Sequence, residues 1–340
     1  MTKQEAEKCV MANSLQELCG LQIENEKIIR KASFLELDEV IKVGALFYTV
    51  RNISPDGEKI RACKEILKRK TGIFSNFRGF LQFAIQVKMS VSPDPEAYLD
   101  AVLAIYKKLA EGRILPGEII VMTAMTIYDL SDGRDVDSVI AAVKEAYAKI
   151  RQKHKFLTNE NDLSYIAMMA LSGKDMDRQL EEVEMLYAAL KERFHMPSDT
   201  AQSAALVLSM SSKPADQKAE SFISFYQALK EVKHATSKGK AMSVYAAFTD
   251  LDAPRELLVD EIGQAEDWLR HQKGYGILSS SDVRRVMAAA LVLQQHELQS
   301  PVPVHTETAT VVSQLIAEEV IFMMIMLIVI SISVSNTVNS

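Results

Sequence analysis

Glycine and proline are scarce in this sequence, at 13 and 9 of 340 residues. An all-β chain needs a tight turn roughly every ten residues, and this composition supplies too few turn formers for one. Cysteine is scarcer still. Cys9, Cys19 and Cys63 are the three present, and none stands in a C-x-x-C pair. That excludes a disulfide framework and a zinc ribbon, and it fits a reducing compartment where thiols serve as small core residues. Positive charge runs out early. No Lys or Arg follows Arg285, whereas Glu297, Glu307, Glu318 and Glu319 do, so the net charge of −6 divides into −4 beyond residue 285 and −2 before it. A nearly neutral body offers no electrostatic footprint for a phosphate backbone, which argues against nucleic-acid binding. The first twenty residues are charged and polar without an apolar run, so no secretory signal is read there. The compartment expected is a bacterial cytoplasm or, as the alternative, the cytoplasmic face of its membrane.

Catalytic motifs are missing as well. There is no G-x-S-x-G, no H-E-x-x-H and no G-x-G-x-x-G. Gly173-Lys174 lacks the upstream glycine of a phosphate loop, since Met168 occupies that place. The run Asp132-Gly133-Arg134-Asp135-Val136-Asp137 has its glycine misplaced for a calcium loop and reads as a helix cap and a solvated turn. No metal site, cofactor or catalytic residue is therefore expected.

What is abundant is Leu, Ala, Met, Glu and Lys, all good helix formers. They recur with a period. DAVLAIYKKL (100–109), AAVKEAYAKI (141–150), EEVEMLYAAL (181–190) and ESFISFYQAL (220–229) each carry a Tyr three residues before an apolar residue. Those tyrosines, Tyr106, Tyr147, Tyr187 and Tyr226, are spaced by 41, 40 and 39. Leu99, Val102, Tyr106 and Leu109 lie on one helical face, as do Ile140, Val143, Tyr147 and Ile150, and Leu180, Val183, Tyr187 and Leu190. Before each such helix comes a shorter one that is apolar nearly all round: Gln82–Met89, Ile119–Leu130, Ser164–Leu171, Gln202–Met210 and Ala241–Leu251. Asp94 before Pro95, Asp175 after Ser172-Gly173, and Asp252 before Pro254 supply cap chemistry. The expectation is an all-α chain of about six tandem helix-turn-helix repeats of roughly forty residues. Stacked repeats form an α-α superhelix, either a solenoid or a curved toroid.

Residues 1–294 read as this helical-repeat domain, with 1–50 as N-terminal capping helices. Residues 295–306, with two prolines, read as a linker, and 307–340 as a hydrophobic C-terminal helix. Val320–Val334 is uncharged and apolar apart from Ser331 and Ser333. At fifteen residues it falls short of the ~20 needed to span a bilayer. It either folds back onto the repeats or contacts a membrane.

Two loops have irregular composition. In TGIFSNFRG (71–79), Gly72 suits a helix end and Ser75 a cap, which leaves Phe74, Phe77 and Arg78 as candidate binding residues together with Ser75. An Arg beside aromatics at a helix start either holds an anion or closes a packing interface. In QKGYGIL (272–278), Gly274 and Gly276 bracket Tyr275, and Lys273 and Tyr275 complete the candidates. His154, His195 and His234 follow their repeat tyrosines by 7, 8 and 8 residues, a position suited to helix C-termini rather than to one shared metal.

These two phrases, with HKFLTNEND (154–162), resemble the bacterial domain-of-unknown-function 4003 family from about residue 10 to the C-terminus. HKFLT departs from the HPFLT form associated with that family, and the tail is richer in Ile and Met than its Ala/Ser-rich tails. The resemblance implies no activity. Architecture and the missing motifs favour a non-enzymatic binding or scaffold module that takes a peptide, protein or small ligand on a concave face. The alternatives are an enzyme with its site among the inter-repeat loops, Arg78 holding an anion, and a membrane-associated scaffold tethered by Val320–Val334.

Overall fold

The structure is a computed structural model and describes residues 14–33, 36–79, 81–111, 117–131, 133–153, 162–172, 174–211, 213–235, 239–276 and 281–299. Cys9, His154 and the expected apolar segment Val320–Val334 lie outside the described residues. Among those residues every regular element is helical, and no helix is long and apolar enough to cross a membrane.

The long amphipathic helices are α1 (Leu15–Ala32), α3 (Gly57–Lys70), α5 (Pro95–Ala110), α7 (Val136–Lys153), α9 (Met176–Phe194), α11 (Ala215–Glu231) and α12 (Arg255–Arg270). Between them run α2 (Asp38–Thr49), α4 (Gln82–Val91), α6 (Glu118–Leu130), α8 (Leu163–Leu171), α10 (Ser198–Met210) and, last, α13 (Ser281–Gln299). Two tighter 3-10 stretches, Asn76–Arg78 and Gly239–Asp250, complete the order. The second replaces the α-helix expected over Ala241–Leu251, with i→i+3 bonding in place of i→i+4.

Sequence explains most boundaries. Asp94 caps α5 by accepting from the N–H groups of Glu96 and Ala97 at 3.0 Å, with Pro95 at the first helical position. Asp175 caps α9 through the N–H of Arg178 at 2.9 Å. In the acidic run, Asp135 accepts from the N–H groups of Asp137 and Ser138 and from the Ser138 hydroxyl, as expected of a cap. Asp252 does not cap: Pro254 itself holds the cap position of α12, which has no side-chain cap.

The amphipathic helices bury the stripe read from sequence. Leu99, Val102 and Leu109, Val143 and Ile150, and Val183 and Leu190 are buried. Each of the four repeat tyrosines is half-buried at the margin of the stripe and packed on the core. The residue just before each Tyr (Ile105, Ala146, Leu186, Phe225) is buried more deeply. The shorter helices are enclosed on nearly every side; of α8, Leu163 to Met169 and Leu171 are all buried.

Packing is sequential. Each amphipathic helix contacts the next (α1 with α3, α3 with α5, α5 with α7, α7 with α9, α9 with α11, α11 with α12), and α12 contacts α1. Among the enclosed elements α2 meets α4, α6 meets α8, α8 meets α10, α10 meets the 239–250 segment, that segment meets α13, and α13 meets α2. Thus α1 and α2, expected as N-terminal capping helices, contact α3 and α4 as well as α12 and α13. Helix α13 continues to Gln299, past the start expected for the linker, and Gln295 and His296 bind Glu261 at 3.2 and 2.6 Å.

Cys19 and Cys63 are free and buried, and burial pushes their thiols up to about 12 and about 11. Since the thiolate is the reactive species, both should resist Ellman's reagent at neutral pH in a Cys9→Ser variant and react only once the chain is denatured. Rapid reaction of the folded variant would contradict this packing.

Candidate functional site

The loop 71–79 is built to be rigid. Ser75 caps the short 3-10 turn by accepting from the N–H of Phe77 at 3.3 Å. Phe77 is buried against Tyr106, edge to face, with ring centroids 5.1 Å apart. Asn76 donates to the Tyr106 hydroxyl at 2.7 Å. Gly79 passes so close to Glu118 that a Cβ would lie 1.8 Å from its carboxylate, and that carboxylate accepts the N–H of Leu81 at 3.1 Å. The Arg78 guanidinium turns back onto α3: Nε donates to the Thr71 hydroxyl at 3.2 Å and Nη2 to the Lys68 carbonyl. It meets one of the carbonyls that the end of α3 leaves unpaired, where a cation also favours the helix dipole. Phe74, by contrast, projects wholly into solvent at 101% relative exposure, and its neighbour Ile73 is 77% exposed.

The loop after α12 contacts α1 and α2. Tyr275 is buried, and its hydroxyl accepts from Gln22 Nε2 of α1 at 3.1 Å. Burial pushes that phenol well above its ordinary pKa. The Lys42 ammonium of α2 lies 4.6 Å from the Tyr275 ring centroid and donates to the Gly274 carbonyl at 2.5 Å. Gly274 adopts φ +90°, a conformation that side chains resist. Lys273 is exposed. The two candidate loops engage different partners: Arg78 and Phe77 reach α3 and α5, while Tyr275 reaches α1.

The histidines diverge. His195 ends α9 in the left-handed conformation at φ 51°, the C-terminal position expected of it. His234 also follows a helix end, its N–H bonding the Leu229 carbonyl of α11 at 2.9 Å, while its ring binds Glu266 of α12 at 2.6 Å, a carboxylate that Arg284 reaches at 3.3 Å. Among the described residues no three His, Cys, Asp or Glu side chains are grouped to hold a metal.

Sequence reading missed a cavity of about 170 Å³ between α11, the 239–250 segment and the start of α12. Phe225, Tyr245 and Phe248 wall it, and Lys213, Arg255 and Thr249 supply its polar groups. The signal was the spacing Tyr245, Phe248, Leu251. A period of three stacks side chains along one edge of a 3-10 helix, and all three line this space.

Two substitutions test the structural roles. Arg78→Ala should lower unfolding free energy by about 1–2 kcal/mol in a denaturant titration, through loss of its hydrogen bonds at the end of α3. Tyr275→Ala should cost more, about 3–5 kcal/mol, because it empties a packed aromatic site between α1 and α2. Unchanged midpoints for both would mean that neither loop fastens its neighbours.

No curated protein and no solved structure matches the chain. The family model described as "Protein of unknown function (DUF4003)" matches residues 26–329, which contain all the helices from α2 to α13 and both candidate loops. The chain belongs to this family.

Proposed function

We infer that the chain is a non-enzymatic binding module in which helix pairs recurring at about forty residues form a closed ring and hold one loop out to a protein partner. Contact of α1 with both α12 and α13 supports a closed ring over an open superhelix. The binding reading rests on one observation: Phe74 and Ile73 stand in water on a loop fixed on both sides. Burying a large apolar side chain is worth about 1.5–3 kcal/mol. A folded monomer gains nothing from leaving two such side chains at a rigid tip. A partner gains that burial without the cost of ordering the loop, because Ser75, Phe77 and Arg78 already order it. Aromatic anchors of this kind dominate protein interfaces.

The test replaces Phe74 with the photo-crosslinker p-benzoylphenylalanine in cells. A discrete protein adduct is expected, absent when the crosslinker stands at Met185, an exposed position on α9. Equal adduct patterns at the two positions, or none at position 74, would refute the reading. Phe74→Ser should leave stability within ~0.5 kcal/mol of the parent, so that a lost adduct is not mistaken for misfolding.

A further inference from the structure

The cavity at the start of α12 lies on other helices from the Ile73–Phe74 tip and stands independently of it. We propose that this cavity is a binding site for a small monocarboxylate with a compact apolar body about the size of a benzene ring.

Size sets the first bound. At about 170 Å³ it has room for a benzene-sized body, as the ~150 Å³ enclosed apolar cavity known to admit benzene does, but it opens to solvent on one side. The wall chemistry sets the second. Phe225 and Phe248 are tilted 34° to each other with centroids 4.9 Å apart, and Tyr245 lies 6.1 Å from Phe225. All three are buried. Flat or branched hydrocarbon fits such a surface, and a strongly hydrated dianion such as phosphate does not.

The polar side of the cavity specifies the rest. Thr249 is 4% exposed, lines the cavity, and its hydroxyl has no hydrogen-bond partner among the described residues. Buried hydroxyls without partners are rare, and a ligand acceptor would complete this one. Lys213 lines the same space, and its ammonium has no carboxylate partner among the described residues. Arg255 pairs at 3.1 Å with Glu256, whose side chain is 76% exposed, an arrangement worth little in water. Arg255 is itself half-exposed, and a ligand carboxylate at the mouth of the cavity would meet its planar fork in bidentate geometry, which Glu256 does not provide. Helix α12 begins here at Pro254 with no side chain capping its first turn, so the positive end of its dipole adds to the same potential. Two cations, an unpartnered hydroxyl and an uncapped helix start therefore border one aromatic-walled cavity. Purely apolar ligands would leave that polar side unanswered, and this selects a carboxylate.

Isothermal titration of the full chain with sodium benzoate, with benzamide as the uncharged isostere, tests the proposal. Saturable binding of benzoate is expected, at least ~tenfold tighter than benzamide and weakened about tenfold by Arg255→Gln. Ser224→Phe, which fills the cavity, should abolish it. Thr249→Val gives the sharper readout. Removing an unpartnered hydroxyl should raise the melting temperature of the unliganded protein while weakening benzoate. Absence of saturable benzoate binding overturns the proposal. So does equal binding of benzoate and benzamide, or benzoate affinity unaffected by both Arg255→Gln and Ser224→Phe. None of these results bears on the Phe74 crosslink, so the two readings fail separately.

Discussion

A helix without a polar face has to be enclosed. Helix α8, with the sequence LSYIAMMAL, and the Ala-, Leu- and Val-rich stretch of α10 have almost no side on which water is tolerated. One amphipathic helix can cover only one side of such a rod. The flanks fall to the equivalent rods before and after it, and α6, α8 and α10 accordingly pack on one another in turn. Polar atoms carried into this interior must then find partners inside it. Thr123 and Ser164 pair at 3.0 Å, Gln202 donates to Asp162 at 2.9 Å, and the buried Lys88 ammonium meets Asp129 at 2.6 Å. Each bond joins two neighbouring rods, so it fixes register as well as satisfying a buried group. Lys88 is the most demanding case, since a buried ammonium left unpaired would cost several kcal/mol.

The amphipathic helices carry register marks of their own. Basic residues toward the C-terminal end of one pair with acidic residues toward the N-terminal end of the next: Arg69 with Glu96 at 2.5 Å, Lys108 with Asp137, Lys149 with Asp177 at 2.5 Å, and Arg193 with Glu220 at 3.3 Å. Exposed pairs of this sort contribute little individually. Their recurrence shows that successive helices keep the same stagger. A second recurrent device joins the two kinds of helix. Arg134, just before α7, donates to the Leu171 carbonyl at the end of α8, and Lys174, just before α9, donates to the Met210 carbonyl at the end of α10 at 2.9 Å. In each pair the residue preceding the outer helix caps the end of its enclosed partner, where unpaired carbonyls and the helix dipole favour a cation.

Helical class, the two kinds of helix and the buried stripes were legible because each rests on local spacing. Leu99, Val102 and Leu109 lie on one face whatever surrounds them. The caps at Asp94, Asp135 and Asp175 were legible for the same reason, since a cap contacts only its own first turn. Contacts between distant segments were not. Nothing local to QKGYGIL announces that Tyr275 meets Gln22, more than two hundred residues away. Arg78 stood out in the sequence as a residue that turn geometry does not explain. Its two readings, anion holder or interface residue, could be told apart only by knowing where its guanidinium points, and that depends on the path of residues 71–79. Phe74 and Phe77 were both candidates, but which of them stands in water was not legible, because an exposed phenylalanine and a buried one look alike in a sequence.

The same physics explains why the cavity sits where the pattern breaks. The other enclosed elements between α2 and α10 are α-helices, with side chains spread over the whole circumference, and neighbours interlock with them on all sides. Over Gly239–Asp250 the chain winds as a 3-10 helix. Its side chains stack in columns three residues apart, so Tyr245 and Phe248 fall on one edge, and Leu251, just past its end, lines the same space. A neighbour adapted to an α-helical surface leaves a gap beside such a column. That gap is bordered by Arg255, the first residue of a helix without a side-chain cap, and by Thr249, whose hydroxyl lacks a partner. Long 3-10 runs, uncapped helix starts and unsatisfied hydroxyls are each unfavourable, and a sequence selected only for stability would remove them. At this cavity the 3-10 run and the unpartnered Thr249 hydroxyl meet, and a bound ligand acceptor would satisfy that hydroxyl.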